Sequence, residues 1–262
     1  SEETLSYASF IPIVESLKPK YVIVGEPSQL SLCRGQKGRF EFQVTTHGKA
    51  GHTAFAGQGV NAVLKMIPII ALLDKMPLPQ DSFLGSSVLS LMDIISEPYP
   101  GTSTIPLNCV ATYERRLVTC KESKEALLQE VHTVFQEAKK GCENLEADVR
   151  TVCSQGLTYT GLKLEVEKYA PPWIIPESSR LVRAALSGME RAGIPPAVSC
   201  YPFCTNGSYS AGIMGIETVG LGPSSPSLAH TSNEYIEVEQ LILAWKAYIS
   251  MIQQIIPYLA AE

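Results

Sequence analysis

Neither a paired-cysteine spacing nor an excess of basic charge is present in this chain of 262 residues. Its seven cysteines, at 33, 109, 120, 142, 153, 200 and 204, are odd in number, scattered, and include no C-x-x-C pair. That excludes a disulfide framework and a structural zinc knuckle, and points to buried thiols in a reducing cytoplasm. Lys and Arg number 21 against 26 Asp and Glu, a net charge of -5 with a pI near 5.5, so the basic footprint of a nucleic-acid binder is lacking. The apolar runs are short. Residues 67–73, interrupted by Pro68, fall far below the length that crosses a bilayer, and a membrane partner is not expected. No signal-peptide pattern, internal repeat or low-complexity segment is visible. What is present is ordinary for a soluble globular protein of one or two domains: 45% hydrophobic and 18% charged residues.

One stretch breaks that ordinariness. In "KPKYVIVGEPSQL" the apolar residues Tyr21, Val22, Ile23 and Val24 stop on Gly-Glu-Pro. Such a run, bounded by Pro19 and Pro27, predicts a strand buried on both faces. In open α/β sheets functional groups gather beyond the carboxyl ends of strands, and Glu26 occupies that place. Pro27 biases it towards an extended conformation. The next stretch has a different texture. "GRFEFQVTT" alternates Phe40, Phe42 and Val44 with Arg39, Glu41, Gln43 and Thr45, which predicts a half-exposed antiparallel strand. A helix over 60–73 follows, with Pro68 at a kink or first-turn break. Then come strands over 87–95 and 109–117, a helix over 123–139 and a strand over 147–152. Thr119 and Glu122 have capping-box spacing before the second helix. This β-α-β-β-α-β order is the ferredoxin-like split unit. Beyond residue 161 an amphipathic helix carries Leu181, Ala185 and Met189 inside and stops at Gly193. Short strands over 197–200 and 217–221 and a final helix over 238–256 complete the chain. The expected fold is therefore α/β. Residues 1–36 and 155–262 form one α/β domain, and residues 37–154 an inserted ferredoxin-like α+β domain.

Four sparse features offer chemistry: the pair Glu2-Glu3, Glu26, His52 in "GKAGHTAF", and His230 in "GLGPSSPSLAHTSNE". Carboxylates and imidazoles at strand ends suit a zinc set with a further Glu as general base. Lone histidines are more often structural, so spacing alone leaves both readings open. Arg116 shares the polar face of its strand with Thr112 and Glu114, while Arg115 points the other way. It suits either a carboxylate fork or a surface pair with Glu114.

Five separated segments, "GEPS", "HGKAGHTAFAGQGVNAV", "IPLNCVATYERRL", "CTNGS" and "GLGPSSPSLAHTSNE", occur in the order and spacing of one enzyme family. The chain resembles the di-zinc aminoacylase and carboxypeptidase family that includes acetylornithine deacetylase, succinyl-diaminopimelate desuccinylase and glutamate carboxypeptidase. Within it, the resemblance is nearest to the selenium-metabolism-linked hydrolases. It implies a zinc-peptidase-like catalytic domain with an inserted domain that acts as lid and dimerises. It also implies two zinc ions per full-length subunit, with cobalt or manganese as alternatives. Twenty-three positions separate Glu3 from Glu26, which fits the family's Glu-Glu to G-E-P interval. The resemblance then makes Glu2 the general base and Glu3, Glu26 and His230 metal ligands. It makes His52 the oxyanion group lent to a partner subunit and Arg116 the holder of the substrate carboxylate. Thr205, Asn206 and Gly207 match a small polar loop at a helix start, where N–H groups can receive an anion.

There are departures. Ser103 stands where many members have the Asn that serves as an oxyanion donor. The family's His-x-Asp and bridging Asp lie upstream of the Glu-Glu pair, and the chain as given contains neither. The expectation is a metallohydrolase cleaving an amide bond beside a carboxylate, in an N-acyl amino acid or peptide, with the fragment itself inactive. A homodimer through the inserted domain is the expected assembly. A non-catalytic dimerisation module is the alternative, and a mononuclear hydrolase using Glu3 and His230 a third reading.

Overall fold

The computed structural model describes residues 6–260. Helix α1 (Ile11–Leu17) precedes β1 (Tyr21–Val24), β2 (Leu32–Gln36) and the long strand β3 (Gly38–His47). A 3-10 turn (Thr53–Gln58) leads to α2 (Ala62–Asp74), the short strands β4 (Gln80–Asp81) and β5 (Gly85–Ser86), then β6 (Val88–Glu97) and β7 (Asn108–Leu117). Next come α3 (Lys124–Gly141), β8 (Glu146–Thr151), the hairpin of β9 (Cys153–Leu157) and β10 (Lys163–Glu167), and the short β11 (Tyr169–Ala170) and β12 (Trp173–Ile174). The chain continues through α4 (Arg180–Arg191), β13 (Val198–Tyr201), a π-helical turn (Ser208–Ile213), β14 (Glu217–Gly220), a 3-10 turn (Pro226–Leu228) and α5 (Val238–Ala260). No described helix is long and apolar enough to cross a membrane.

The elements sort into two main sheets. In one, β8, β3, β7 and β6 lie side by side in that order, antiparallel throughout. That is the ferredoxin-like arrangement expected from the β-α-β-β-α-β order. The alternation of β3 decides its packing. Phe40, Phe42 and Val44 are at most 1% exposed and meet Ile69 of α2, Leu127 and Phe135 of α3, and Tyr113 of β7. Each such side chain, fully buried, contributes about 1.5–3 kcal/mol. Asn61 starts α2 by accepting hydrogen bonds from the Val63 and Leu64 N–H groups, and Pro68 sits within the helix.

The second sheet has the order β1-β14-β2-β12, with β13 also on β2. β1 and β14 are parallel, pairing Tyr21 with Glu217 and Val24 with Gly220. Helices α4 and α5 cover the sheet through Leu181, Ala185, Met189 and Met251 against Leu32 and Val219. Two short β-segments absent from the sequence expectation join the two main sheets in succession, β11 pairing with β3 and β12 with β2, while the equally unexpected β9 and β10 pair with each other.

Two expectations are corrected. β1 is not buried on both faces; all four of its residues are half-buried. Among the described residues it pairs with β14 alone, so it lies at a sheet edge. Only half of the Thr119–Glu122 capping box forms: Glu122 Oε2 accepts from the Thr119 N–H at 3.1 Å, but Thr119 Oγ1 accepts from the Lys121 N–H and the pair does not cap α3. Ser123 caps α3 instead, accepting from the Ala126 N–H at 3.2 Å. Glu122 is drawn inward because Arg115 is buried on the apolar face and requires a counter-ion. The pair is 2.7 Å apart, and the second Glu122 oxygen accepts from the Val118 and Thr119 N–H groups.

Candidate active site

Two loops leaving the parallel pair β1 and β14 are stitched together by hydrogen bonds. The Leu221 N–H donates to the Val24 carbonyl at 2.9 Å, Ser28 N–H to the Gly222 carbonyl at 3.2 Å, and the Gly222 N–H to Ser28 Oγ at 3.0 Å. Gly222 is required by close approach, since a Cβ there would lie 2.2 Å from the Glu26 carbonyl oxygen. Tyr201 donates its hydroxyl to that same oxygen at 2.8 Å. Burial pushes the Tyr201 phenol well above its ordinary range, so it stays a neutral donor. The stitching explains why residues two hundred positions apart meet: Glu26 and His230 line one cleft of about 420 Å³. Arg116 and Thr205 line it too, together with Ser6 and Arg39. His230 holds φ at 63°, in the left-handed region.

Arg116 pairs with Glu114, its Nη2 2.7 Å from Glu114 Oε1, and lies in the cleft lining. The polar loop at Thr205, Asn206 and Gly207 is held by Gln36, which is wholly buried. Gln36 Oε1 accepts from the Thr205 N–H at 3.2 Å and its hydroxyl at 2.6 Å, while Nε2 donates to Ser208 Oγ at 2.6 Å. The Gly207 N–H donates to Thr205 Oγ1 at 2.9 Å. Two of the loop's N–H groups are thus committed internally, which corrects the expectation that they receive an anion. The loop opens the π-helical turn Ser208–Ile213, a feature frequent at functional sites.

His52 and Ser103 are elsewhere. Both are exposed, next to one another, and outside the cleft lining. His52 Nδ1 accepts from the Ala54 N–H at 3.0 Å, and the Ser103 carbonyl accepts from the Thr53 N–H at 3.1 Å. Within one chain they do not join Glu26 and His230. Glu2 and Glu3 lie outside the described residues. Among those described, no group of three or more His, Cys, Asp or Glu side chains could hold a metal ion. Glu26 and His230 are suitable donor types, but two donors do not complete a zinc site.

Gln36, Tyr201 and Arg39 were not singled out by their sequence positions. Gln36 and Tyr201 carry no local signal, because their partners are distant in the chain. Arg39 was visible as one residue on the polar face of β3, but its place beside Arg116 needs the strand register.

A split-βαβ domain inserted beside a mixed sheet, with a carboxylate and an imidazole in one cleft at the strand ends, defines a peptidase-type α/β architecture. Residues 34–142 match the M20 peptidase dimerisation domain. The chain is 29% identical over 238 residues to the uncharacterized protein YgeY of Escherichia coli strain K12, covering 90% of this chain and 57% of that one. It is 22% identical over 259 residues to an acetylornithine deacetylase of Buchnera aphidicola, covering 90% of this chain and 58% of that one. Among solved structures, the aminopeptidase PepT of Bacillus cereus superposes with a TM-score of 0.70 at 20% identity, over 92% of this chain and 58% of that chain. The M20 family metallo-carboxypeptidase Sso-CP2 of Sulfolobus solfataricus does so with 0.64 at 14% identity, over 94% and 66%. Residues 34–142 thus carry a peptidase dimerisation domain, and the chain as a whole shares the fold of these peptidases. It spans somewhat over half the length of the curated relatives YgeY and acetylornithine deacetylase.

Proposed function

We propose that this chain carries part of the active site of a metal-dependent hydrolase that cleaves an amide bond beside a carboxylate, in an N-acyl amino acid or small peptide. The observation that carries the proposal is the convergence of Glu26, His230 and Arg116 on one cleft from three separate segments. In this reading Glu26 and His230, with Glu3, are metal ligands, and zinc is the metal proposed. Glu2 takes a proton from the attacking water and passes it to the leaving amine. His52 steadies the developing oxyanion in the partner subunit's cleft. That fits an exposed imidazole on a loop remote from its own cleft. The assembly is a homodimer formed through the inserted domain, in the cytoplasm.

The chain alone is proposed to be inactive, since Glu3, Glu26 and His230 are fewer ligands than a two-metal centre needs. The competing reading is a dimerisation module without a metal centre. Metal analysis separates the two in a protein spanning the full length of its relatives. Bound metal that falls in Glu26→Ala and His230→Ala, with turnover of N-acyl amino acids or dipeptides, supports the hydrolase. Absence of metal supports the module. Mixing His52→Ala and Glu2→Ala subunits, each inactive alone, should restore activity if the histidine is lent across the dimer.

A further inference from the structure

The cleft is lined by two arginines, and the reading above uses only one. Arg39 on β3 and Arg116 on β7 are direct cross-strand partners, and both face the cleft. Residues so placed have Cβ atoms about 4.5–5.5 Å apart, and like charges there are destabilising. The neighbouring pair on the same face, Glu41 and Glu114, repeats the conflict with the opposite sign. Relief runs along each strand: Arg39 Nε lies 3.5 Å from Glu41 Oε1, and Arg116 Nη2 lies 2.7 Å from Glu114 Oε1. Lys168, buried on the same face, adds a third cation 3.9 Å from Glu41. Among the described residues, the two arginines are thus held by one carboxylate each on their own strands.

Arg39 is also short of partners. Its Nη2 donates to Ser6 Oγ at 2.9 Å, but its buried Nε makes no hydrogen bond. A buried guanidinium with an unmade hydrogen bond is costly. The loop N–H groups of Thr205 and Gly207, the other anion receptors near the cleft, are already spent.

We propose that Arg39 and Arg116 together seat one carboxylate of the substrate, one guanidinium from each strand, which makes Arg39 a second specificity-determining residue. This rests on reading the cleft as a carboxylate site. A carboxylate has two oxygens and about four lone-pair sites, enough for both guanidinium groups. Its negative charge, shared by the two guanidinium groups, lowers the repulsion between the paired arginines.

The test is direct binding to this chain, read by ligand-observed NMR, of N-acetyl amino acids and their C-terminal amides. The acids are expected to bind and the amides to bind about tenfold more weakly or not at all. Arg39→Gln and Arg116→Gln should each weaken the acids about tenfold or more, the loss of a hydrogen bond to a charged group. Neither should change amide binding. Arg39→Lys, which keeps the charge and loses the fork, should fall between. Unchanged acid binding in folded Arg39→Gln, with loss in Arg116→Gln, overturns the pair and leaves the carboxylate site standing. If Arg39→Gln does not fold, Arg39→Lys decides, and wild-type affinity there overturns the pair. Equal binding of acids and amides, or no binding of either, removes the carboxylate site itself. Metal content and turnover test the hydrolase reading separately.

Discussion

Gly222 lies against Glu26, so that a Cβ at position 222 would stand 2.2 Å from the Glu26 carbonyl oxygen and 2.5 Å from that of Gly25. Both obstacles are backbone, so neither can swing aside. Gly222→Ala is expected to destabilise the fold by about 1–3 kcal/mol, the usual cost of overpacking. It should also part the two loops that bring Glu26 and His230 to one cleft. Urea denaturation measures the first effect. A loss below about 0.5 kcal/mol, the range of ordinary surface changes, would show that the loops yield freely.

Adjacent arginines on β7 should respond to truncation in opposite ways. Arg115 is 3% exposed and bonded to Glu122 at 2.7 Å and Glu130 at 2.5 Å. Arg115→Ala leaves the buried Glu122 carboxylate without its cation, at a cost of about 3–5 kcal/mol. Arg116 has a partly exposed partner in Glu114, and its truncation should cost about 0–1 kcal/mol while removing acid binding. Thermal melts of both variants check this. Equal losses would mean that the strand alternation does not govern their energetics.

These two arginines show what was legible in the sequence. The alternation of "NCVATYERRL" places them on opposite faces, and the structure agrees. Glu122 was read only in part: its bond to the Thr119 N–H is a local signal, whereas the demand made by buried Arg115 is tertiary. The half-burial of β1 follows in the same way: four consecutive apolar residues indicate a strand, but its neighbours are set by the sheet. Glu26 and His230 stood out because Gly, Pro and His mark loops after strands. Arg39 did not, since only the β3–β7 register brings it beside Arg116.

Gln36 holds the Thr205 loop from beneath, and replacing it with Leu should loosen that loop specifically. The Thr205 N–H and the hydroxyls of Thr205 and Ser208 lose their contacts to Gln36. Buried groups left in this way cost about 1–3 kcal/mol each at most. Amide exchange should rise at residues 205–208 more than in β2 itself. Uniform exchange across both segments would argue that Gln36 serves the core and not the loop.

His47 supplies a pH signature. Its Nε2 lies 2.6 Å from Asp148 Oδ2, and the hydrogen bond to Asp148 is the largest cause raising its pKa above the usual histidine value. A raised folded-state pKa gives stability that is fully present below the unfolded pKa and is lost as pH rises through the folded one. Both side chains are substantially exposed, 41% and 56%, so the contribution is at most about 1 kcal/mol. His47→Gln should therefore lower the melting temperature in mildly acidic buffer and leave it nearly unchanged in alkaline buffer. A difference that grows with pH would reverse the assignment.

The last prediction concerns β6. Among the described residues this strand pairs with β7 alone, so its other edge is open. It is also apolar where it is exposed: Leu91, Met92, Ile94 and Ile95 are 39%, 60%, 47% and 54% exposed. An open apolar edge invites a second strand, and a two-fold partner offering the same edge satisfies both copies at once. The match of residues 34–142 to a peptidase dimerisation domain agrees with this use. Lysine on an edge strand opposes such pairing. Met92→Lys and Ile94→Lys should therefore convert a dimer to a monomer in sedimentation equilibrium. Their melting temperatures in the monomeric state should move little, since surface changes usually stay within about 0.5 kcal/mol. Variants that sediment as the unmodified protein does, whether both are monomers or both dimers, would mean that the β6 edge is not the contact. The consequence for chemistry is separable: a monomeric variant keeps its own cleft, so carboxylate binding should survive, while any function that borrows His52 from the partner should not.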